Sequence, residues 1–175
     1  MTGTALGADQ LALIGRMVCA YGELEYVLGG LFIDIHVLRH GERVDDRDAP
    51  EAMSLERAMG QSLGQYPRLL GDLLPDIEIE AARTSIQNIA SLVQQHAKFR
   101  NTISHGVWRR EGEAFRVSFW SYKAITRLRV DSEIAPKELH FMPWTAAHWI
   151  DQIETLVREI EACRALIRQD TPFRQ

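Results

Sequence analysis

The sequence predicts a mainly α-helical protein, an antiparallel bundle of about four helices with a short antiparallel β-meander inserted before the last helix. Two observations carry this prediction. Apolar residues recur at steps of three and four over long segments near both ends of the chain, and after Gly106 apolar and polar residues alternate as they do in strands. We expect one domain over residues 1–175, with helices at about 8–40, 50–64, 77–105 and 144–169 and the meander at about 106–131.

The first predicted helix carries two adjacent apolar rows, which predicts that much of it is buried. His40-Gly41 supplies its C-terminal stop, and Asp48 is placed to cap the second helix. Tyr66-Pro67 and Leu74-Pro75 then flank a short turn or helical piece. The first row is Leu11, Ile14, Val18, Tyr21, Leu28, Phe32 and Ile35, and the second is Leu13, Met17, Leu24 and Leu31.

The meander is predicted from alternating side chains. Phe115, Val117 and Phe119 alternate with polar neighbours, and Glu111-Gly112 is the expected hairpin turn. A further strand is expected over 124–130, and the stretch between Pro136 and Pro143 is expected to be irregular. A long helix follows it.

Composition excludes several classes of protein. The net charge of −4 and pI near 5.9 give no whole-chain case for nucleic-acid binding, and no apolar run reaches the ~18–20 residues of a membrane span. The start lacks the basic and hydrophobic parts of a signal peptide, so we expect a cytoplasmic protein. Cys19 and Cys163 are isolated and expected to be buried. No Walker or GxGxxG pattern is present, and no cofactor is expected.

Charge is unevenly distributed along the chain. Residues 97–130 hold eight basic and two acidic side chains, a local balance of +6 in a chain of net −4. Such a patch can hold a polyanion, and Trp108, Trp120 and Tyr122 could stack on bases. The alternative is that these arginines face solvent on short strands and the aromatic residues are core. The candidate RNA-binding residues are Arg109, Arg110, Arg116, Arg127 and Arg129.

The most informative motif lies where the third helix meets the first strand. Asn101 and His105 are four residues apart and share one helix face, whereas Arg100 lies about 140° around the helix from His105. Gly106 is expected to end the helix in the left-handed conformation, which leaves His105 in the last turn, where the helix dipole favours imidazolium. An imidazole beside a guanidinium is a combination that phosphate chemistry uses.

Arg100-Asn101 followed by His105-Gly106 resembles the Arg-polar-x(3–5)-His signature of the HEPN superfamily (higher eukaryotes and prokaryotes nucleotide-binding). The segment Ala-Tyr-Gly-Glu-Leu-Glu-Tyr-Val-Leu of the first helix is similar to the opening helix of that family. The resemblance implies a dimeric helical bundle and a metal-independent endoribonuclease of toxin or RNA-defence type, with an antitoxin or nucleotidyltransferase as partner. Some members lack catalysis, so the alternative is a non-catalytic homodimeric interaction module with a degenerate HEPN-like site.

Under this resemblance Arg100 and His105 are the catalytic residues. RNA cleavage without a metal needs a base, an acid and a cation near the phosphate, and one histidine cannot be base and acid at once. A two-fold dimer would supply two copies of the pair. The glycines of the first helix and its second apolar row also predict a homodimer, with an interface above roughly 1,200 Å².

Four further polar residues are candidates for supporting the site or for holding a metal ion. Glu25 falls within an apolar stripe, where it either orients Arg100 or is solvated because the stripe drifts. Asn101 either orients His105 or helps close the helix end. His36 and His40 have a metal-compatible spacing but no evident third ligand, so no metal site is expected.

Overall fold

The computed structural model describes residues 5–40, 62–119 and 136–170. These residues form helices and one small antiparallel sheet, so the predicted mainly α class with a short antiparallel β segment is confirmed. No helix in the described ranges is long and apolar enough to cross a bilayer. The helices are α1 (Ala8–His40), α2 (Tyr66–Leu73), α3 (Glu80–His105) and α4 (Pro143–Asp170), and the strands are β1 (Val107–Glu111), β2 (Ala114–Phe119) and β3 (Lys137–Phe141).

Most of the predicted second helix, 50–64, lies outside the described residues. Its last residues enter a single 3-10 turn at Leu63–Gln65, and α2 follows directly at Tyr66. Pro67 stands in the first turn of α2, where its missing N–H costs no intrahelical hydrogen bond. A second 3-10 turn, Leu74–Asp76, contains Pro75 and ends the segment.

The chain divides into two compact units. The sheet unit comprises Met1–Ala20 and Phe99–Gln152, and the helical unit comprises Tyr21–Lys98 and Ile153–Gln175. Each unit therefore combines segments that are distant in sequence. The helix-end motif and the sheet both belong to the sheet unit.

The sheet has the order β1-β2-β3, and its inner face carries an aromatic cluster. Ring centroids of Trp108 and Phe141 lie 5.4 Å apart, those of Phe141 and Trp149 5.6 Å, and those of Trp149 and Phe99 4.4 Å. Phe115 is buried beside them, as its alternation with polar neighbours predicts. The indole N–H of Trp108 donates to the carbonyl of Ile103 at 3.1 Å, so the half-buried Trp108 is held in this aromatic cluster.

The third strand is not where the sequence predicts it. The expected strand over 124–130 lies outside the described residues, and Lys137–Phe141, expected to be irregular, pairs with β2 instead. That expectation was wrong because the segment has only Leu139 and Phe141 to mark an inner face, and its strand form depends on hydrogen bonds to a distant segment. The hairpin turn is also displaced by one residue: Glu111 pairs with Ala114, and Gly112 has φ +61°.

Gly106 ends α3 for a reason other than the predicted one. Its φ is not in the left-handed region, and its N–H donates to the carbonyl of Thr102 at 2.9 Å. A Cβ atom at Gly106 would overlap the side chain of Val117 and the carbonyl oxygen of Thr102. Glycine is required here because the end of the helix approaches strand β2 closely.

We predict that Gly106→Ala lowers the free energy of unfolding by about 1–3 kcal/mol, because a backbone carbonyl and a buried valine must both shift. Gly71→Ala is the matched control, since nothing lies within 4 Å of a Cβ there. Alanine's helix propensity should make that control neutral or up to about 1 kcal/mol more stable. Urea unfolding measures both, and equal effects of the two substitutions would contradict the close approach.

The helical unit buries most of the predicted apolar positions, but two members of the α1 row are exposed. Leu11 is 55% and Val18 43% exposed, and both precede the helical unit. The stripe rotates around the helix because a 3.6-residue repeat and a seven-residue repeat do not coincide. Cys163 is buried as predicted, whereas Cys19 is exposed. The buried residues of α1, α3 and α4 in this unit include Tyr21, Leu24, Leu28, Leu31, Ile35, Ile86, Ile89, Val93, Ile153, Leu156, Ile160 and Ile167.

His96 is a titratable group within this core. Its ring meets that of Tyr21 edge-on, with centroids 6.1 Å apart. Burial lowers the pKa of His96 below its ordinary value of 6.5, because desolvation disfavours the imidazolium. The folded protein therefore holds this histidine neutral at a pH where the unfolded chain would bind a proton.

We predict that His96 makes stability fall as the pH drops through 6.5, since the unfolded state then binds the proton more readily. His96→Gln should flatten this pH dependence, whatever its effect on stability at neutral pH. The exposed His148→Gln is the control and should retain the slope. Urea unfolding across this pH range provides the measurement, and parallel wild-type and His96→Gln profiles would contradict the prediction.

Candidate functional site

Three polar residues form what we term the helix-end cluster: Arg100, Asn101 and His105, in the last two turns of α3. Asn101 and His105 are exposed and Arg100 is half-buried, while Thr102 and Ile103 between them are buried. The helical repeat places Asn101 and His105 about 40° apart. The predicted common face of Asn101 and His105 is therefore a solvent-facing surface.

Within the cluster, the side chain of Asn101 contacts Arg100, a partner that the sequence did not predict for it. The guanidinium Nη1 of Arg100 donates to the Asn101 side-chain oxygen at 3.5 Å, so Asn101 contacts the arginine rather than the histidine. The His105 side chain has no hydrogen bond or ion pair with any residue that the structure describes. The imidazole is exposed to solvent, and the guanidinium contacts its neighbour Asn101.

Glu25 lies in the helical unit, half-buried. Burial of Tyr66 raises the pKa of its hydroxyl, and the charge of Glu25 raises it further. Glu25 lines a cavity together with Tyr66 and Arg164. Its predicted pairing with Arg100 stays a prediction.

The candidate RNA-binding arginines are distributed over both sides of the sheet. Arg109 and Arg116 are cross-strand partners and share the outer face of the sheet. Arg110 lies on the other face, where its Nε–H donates to the carbonyl of Gly112 at 2.9 Å. Arg127 and Arg129 lie outside the described residues, as do Trp120 and Tyr122.

The polar sheet face consists of Arg109, Glu111, Arg116, Glu138 and His140. Glu111 is central: one carboxylate oxygen lies 3.2 Å from Arg116 Nε and the other 3.1 Å from His140 Nδ1. Glu138 lies 3.8 Å from the other ring nitrogen of His140. Two arginines thus share the face with two glutamates, so the face is closer to charge balance than the basic count along the sequence indicates.

Sequence reasoning missed Glu138 and His140 because their segment was expected to be irregular. It also missed Trp144, which is 65% exposed at the start of α4. Trp144 and Arg110 line one cleft of about 340 Å³ in the sheet unit, together with the acidic Asp9 and Glu113. An exposed indole beside an arginine can stack on a base.

An ion-pair network in the helical unit, built around the half-buried Asp34 and Arg164, was also missed. Arg164 Nε donates to Asp34 at 2.7 Å, Arg164 Nη1 to Glu161 at 2.8 Å, and Arg168 Nε to Asp34 at 3.1 Å. Burial opposes the charge on Arg164, but the hydrogen bonds and charges of Asp34 and Glu161 outweigh it and raise its pKa. The sequence contains no local trace of this network, since Asp34 is far from both arginines along the chain.

The histidines near the end of α1 form no metal site that the structure describes. His36 is buried and stacks on Phe32 with ring centroids 6.1 Å apart, and the side chain of His40 is outside the described part. Among the described residues no group of three His, Cys, Asp or Glu side chains is placed to hold a metal ion.

We predict that Glu111→Gln makes the protein elute from a heparin column at higher salt, because Arg116 and His140 lose their shared counter-charge. Arg109→Gln should lower the elution salt. Glu154→Gln is the matched control: it removes the same charge from an exposed position on α4 in the helical unit. Equal elution of Glu111→Gln and Glu154→Gln would show that only net charge matters.

Comparison with known proteins gives no further assignment. No protein-family model matches the chain, and neither the curated proteins nor the solved structures contain a match. A HEPN-like site is therefore a proposal, and it depends on Arg100, Asn101 and His105 alone.

Proposed function

We propose that the protein is a HEPN-like RNA-binding protein that cleaves RNA without a metal ion. The observation that carries the proposal is the helix-end cluster, in which an exposed imidazole and a guanidinium oriented by Asn101 occupy the final turns of one helix. Arg109, exposed on the strand that follows, adds positive charge next to the cluster. Trp144 and Arg110 provide a second place where RNA can stack and pair.

The chemistry requires two imidazoles. The 2′-oxygen attacks phosphorus while one neutral His105 takes its proton, and the guanidinium of Arg100 stabilises the charge on the phosphorane. The bond from phosphorus to the 5′-oxygen then breaks, and a second His105, as imidazolium, protonates the leaving oxygen. The products are a 2′,3′-cyclic phosphate and a 5′-hydroxyl. Because each chain supplies a single His105, the reaction needs a homodimer.

Support for a dimer comes from α1 within the sheet unit. Leu11 and Val18 are exposed at steps of four and three around Gly15, where nothing lies within 4 Å of a Cβ. Apolar side chains flanking a glycine allow a second helix to approach closely. The helix-end cluster belongs to the same unit.

We predict a particle of about 40 kDa by light scattering at micromolar concentration, twice the 19.9 kDa of one chain. Val18→Lys should yield the single chain with an unchanged circular dichroism spectrum, because Val18 is exposed in the protomer. A 20 kDa particle from the wild-type chain would remove the two-histidine mechanism.

We predict that His105→Ala and Arg100→Ala each reduce cleavage of single-stranded RNA in EDTA at least about 100-fold, because the first removes the general acid and base and the second the cation that stabilises the phosphorane. Cleaved ends should carry 2′,3′-cyclic phosphates, and a fully 2′-deoxy strand should remain intact. His148→Ala, which changes an exposed histidine of the same unit, is the control. Undiminished cleavage by His105→Ala would refute the catalytic assignment.

The second candidate is a non-catalytic homodimeric interaction module. The observation in its favour is the pairing of Arg116 with Glu111, which leaves less free positive charge on the polar sheet face than a polyanion site normally has. RNA that stays intact with the wild-type dimer would select this candidate.

For the nuclease, an antitoxin or nucleotidyltransferase partner is expected to relieve growth arrest when the two are co-expressed.

A further inference from the structure

The helical unit contains a cavity of about 390 Å³, a volume in the range of small-molecule sites. Its walls come from one face of α1, from Tyr66 at the start of α2, and from Arg164 on α4. Tyr66 is buried, whereas Tyr26, also on the wall, is 78% exposed and forms the rim. None of the residues of the helix-end cluster belongs to it.

Two consecutive glycines in α1 open this cavity. The Tyr66 hydroxyl lies 3.7 Å from the position that a Cβ of Gly29 would take, and the guanidinium of Arg164 lies directly over Gly30. Mid-helix glycine is unfavourable relative to alanine, and two in succession need a compensating role. In this structure the two glycines leave the space of the cavity open and allow the guanidinium of Arg164 to lie against α1.

The polar groups of the wall complement one another. Arg164 is held through Nε by Asp34 and through Nη1 by Glu161, which leaves Nη2 without a hydrogen bond to the described residues. The Glu25 carboxylate and the Tyr66 hydroxyl line the same space. The cavity therefore offers a carboxylate that accepts, a fixed guanidinium nitrogen that donates and an exposed aromatic ring that can stack.

We propose that this cavity binds a guanine base. Guanine carries two adjacent donors, the ring N1–H and the 2-amino group, which match the two oxygens of the Glu25 carboxylate, and its 6-oxo group can accept from Arg164. Adenine and cytosine each place a lone pair beside their amino group, and uracil has a single N–H between two carbonyls. Tyr26 at the rim supplies the stacking surface.

Charge restricts what the ligand can carry. Two carboxylates, those of Asp34 and Glu161, hold the guanidinium of Arg164, and Glu25 lines the same cavity. Phosphate groups deep in the cavity would meet these carboxylates, so recognition is of the base. The base belongs either to a free nucleoside or to an unpaired nucleotide of RNA, and both sources share the same edge chemistry.

Calorimetry on the full chain with guanosine, inosine and adenosine tests the proposal. We expect guanosine to bind, inosine to bind at least about tenfold more weakly because it lacks the 2-amino group, and adenosine not to bind measurably. Glu25→Gln should weaken guanosine binding at least about tenfold, because an amide offers one acceptor in place of two. Equal binding of the three nucleosides, or no binding of guanosine, would overturn the proposal.

Two glycine variants test guanosine binding in the cavity without lowering the stability of the fold. Gly29→Ala places its methyl at ordinary contact distance from Tyr66, so the chain should fold with an unfolding midpoint no lower than wild type, yet the methyl occupies the cavity and should abolish guanosine binding. Gly22→Ala is the matched control on the same helix, with nothing within 4 Å, and should bind normally. Normal guanosine binding by Gly29→Ala would overturn the proposal.

A short RNA with one unpaired guanosine, compared with the same RNA carrying inosine there, identifies the source of the base. Tighter binding of the guanosine RNA than of free guanosine supports an RNA-borne base, and tighter binding of the nucleoside supports a free one. Guanosine binding by His105→Ala is expected to equal that of wild type. The nuclease and the guanine site can therefore fail separately.

Discussion

The close approach of helix α3 to strand β2 at Gly106 determines the geometry of the sheet unit. Because no side chain stands at that position, the last turn of the helix meets the buried Val117 directly, and β1 starts one residue later. The aromatic cluster beneath the sheet then fixes the helix end from the other side through Phe99 and Trp149. The helix-end cluster is thus presented on rigid elements, which a catalytic geometry requires.

Two networks pair charged side chains in the part of the chain that the structure describes. Glu111 contacts both Arg116 and His140 on the polar sheet face, and in the helical unit Asp34 contacts both Arg164 and Arg168. The first network is exposed and contributes little stability on its own, whereas in the second the half-buried pair of Asp34 and Arg164 fixes the orientation of a guanidinium. Pairing determines how much of a local charge excess remains for a partner.

The two proposed sites differ in how they are built. The helix-end cluster is a short local motif, and in the proposed mechanism it needs a second copy of the chain to supply both the acid and the base. The cavity is assembled within one chain from three helices, and a pair of glycines creates its space. A protein with both would combine cleavage of the RNA backbone with recognition of a base, and each activity would have its own residues.

The sequence by itself determined the mainly α class, the first two strands and the position of Arg100, Asn101 and His105 at a helix end, because periodicity and helix stops act over a few residues. Tertiary structure decided the rest. Strand β3, the glycine contact at Gly106 and the pairing of Arg164 with Asp34 join segments that are distant in sequence or set apart by a turn, and no local pattern encodes such contacts. The exposure of Leu11 and Val18 was likewise decided by which elements pack against α1. A hydrophobic stripe shows which side of a helix is suited to burial, but the elements that bury it are set by the tertiary structure.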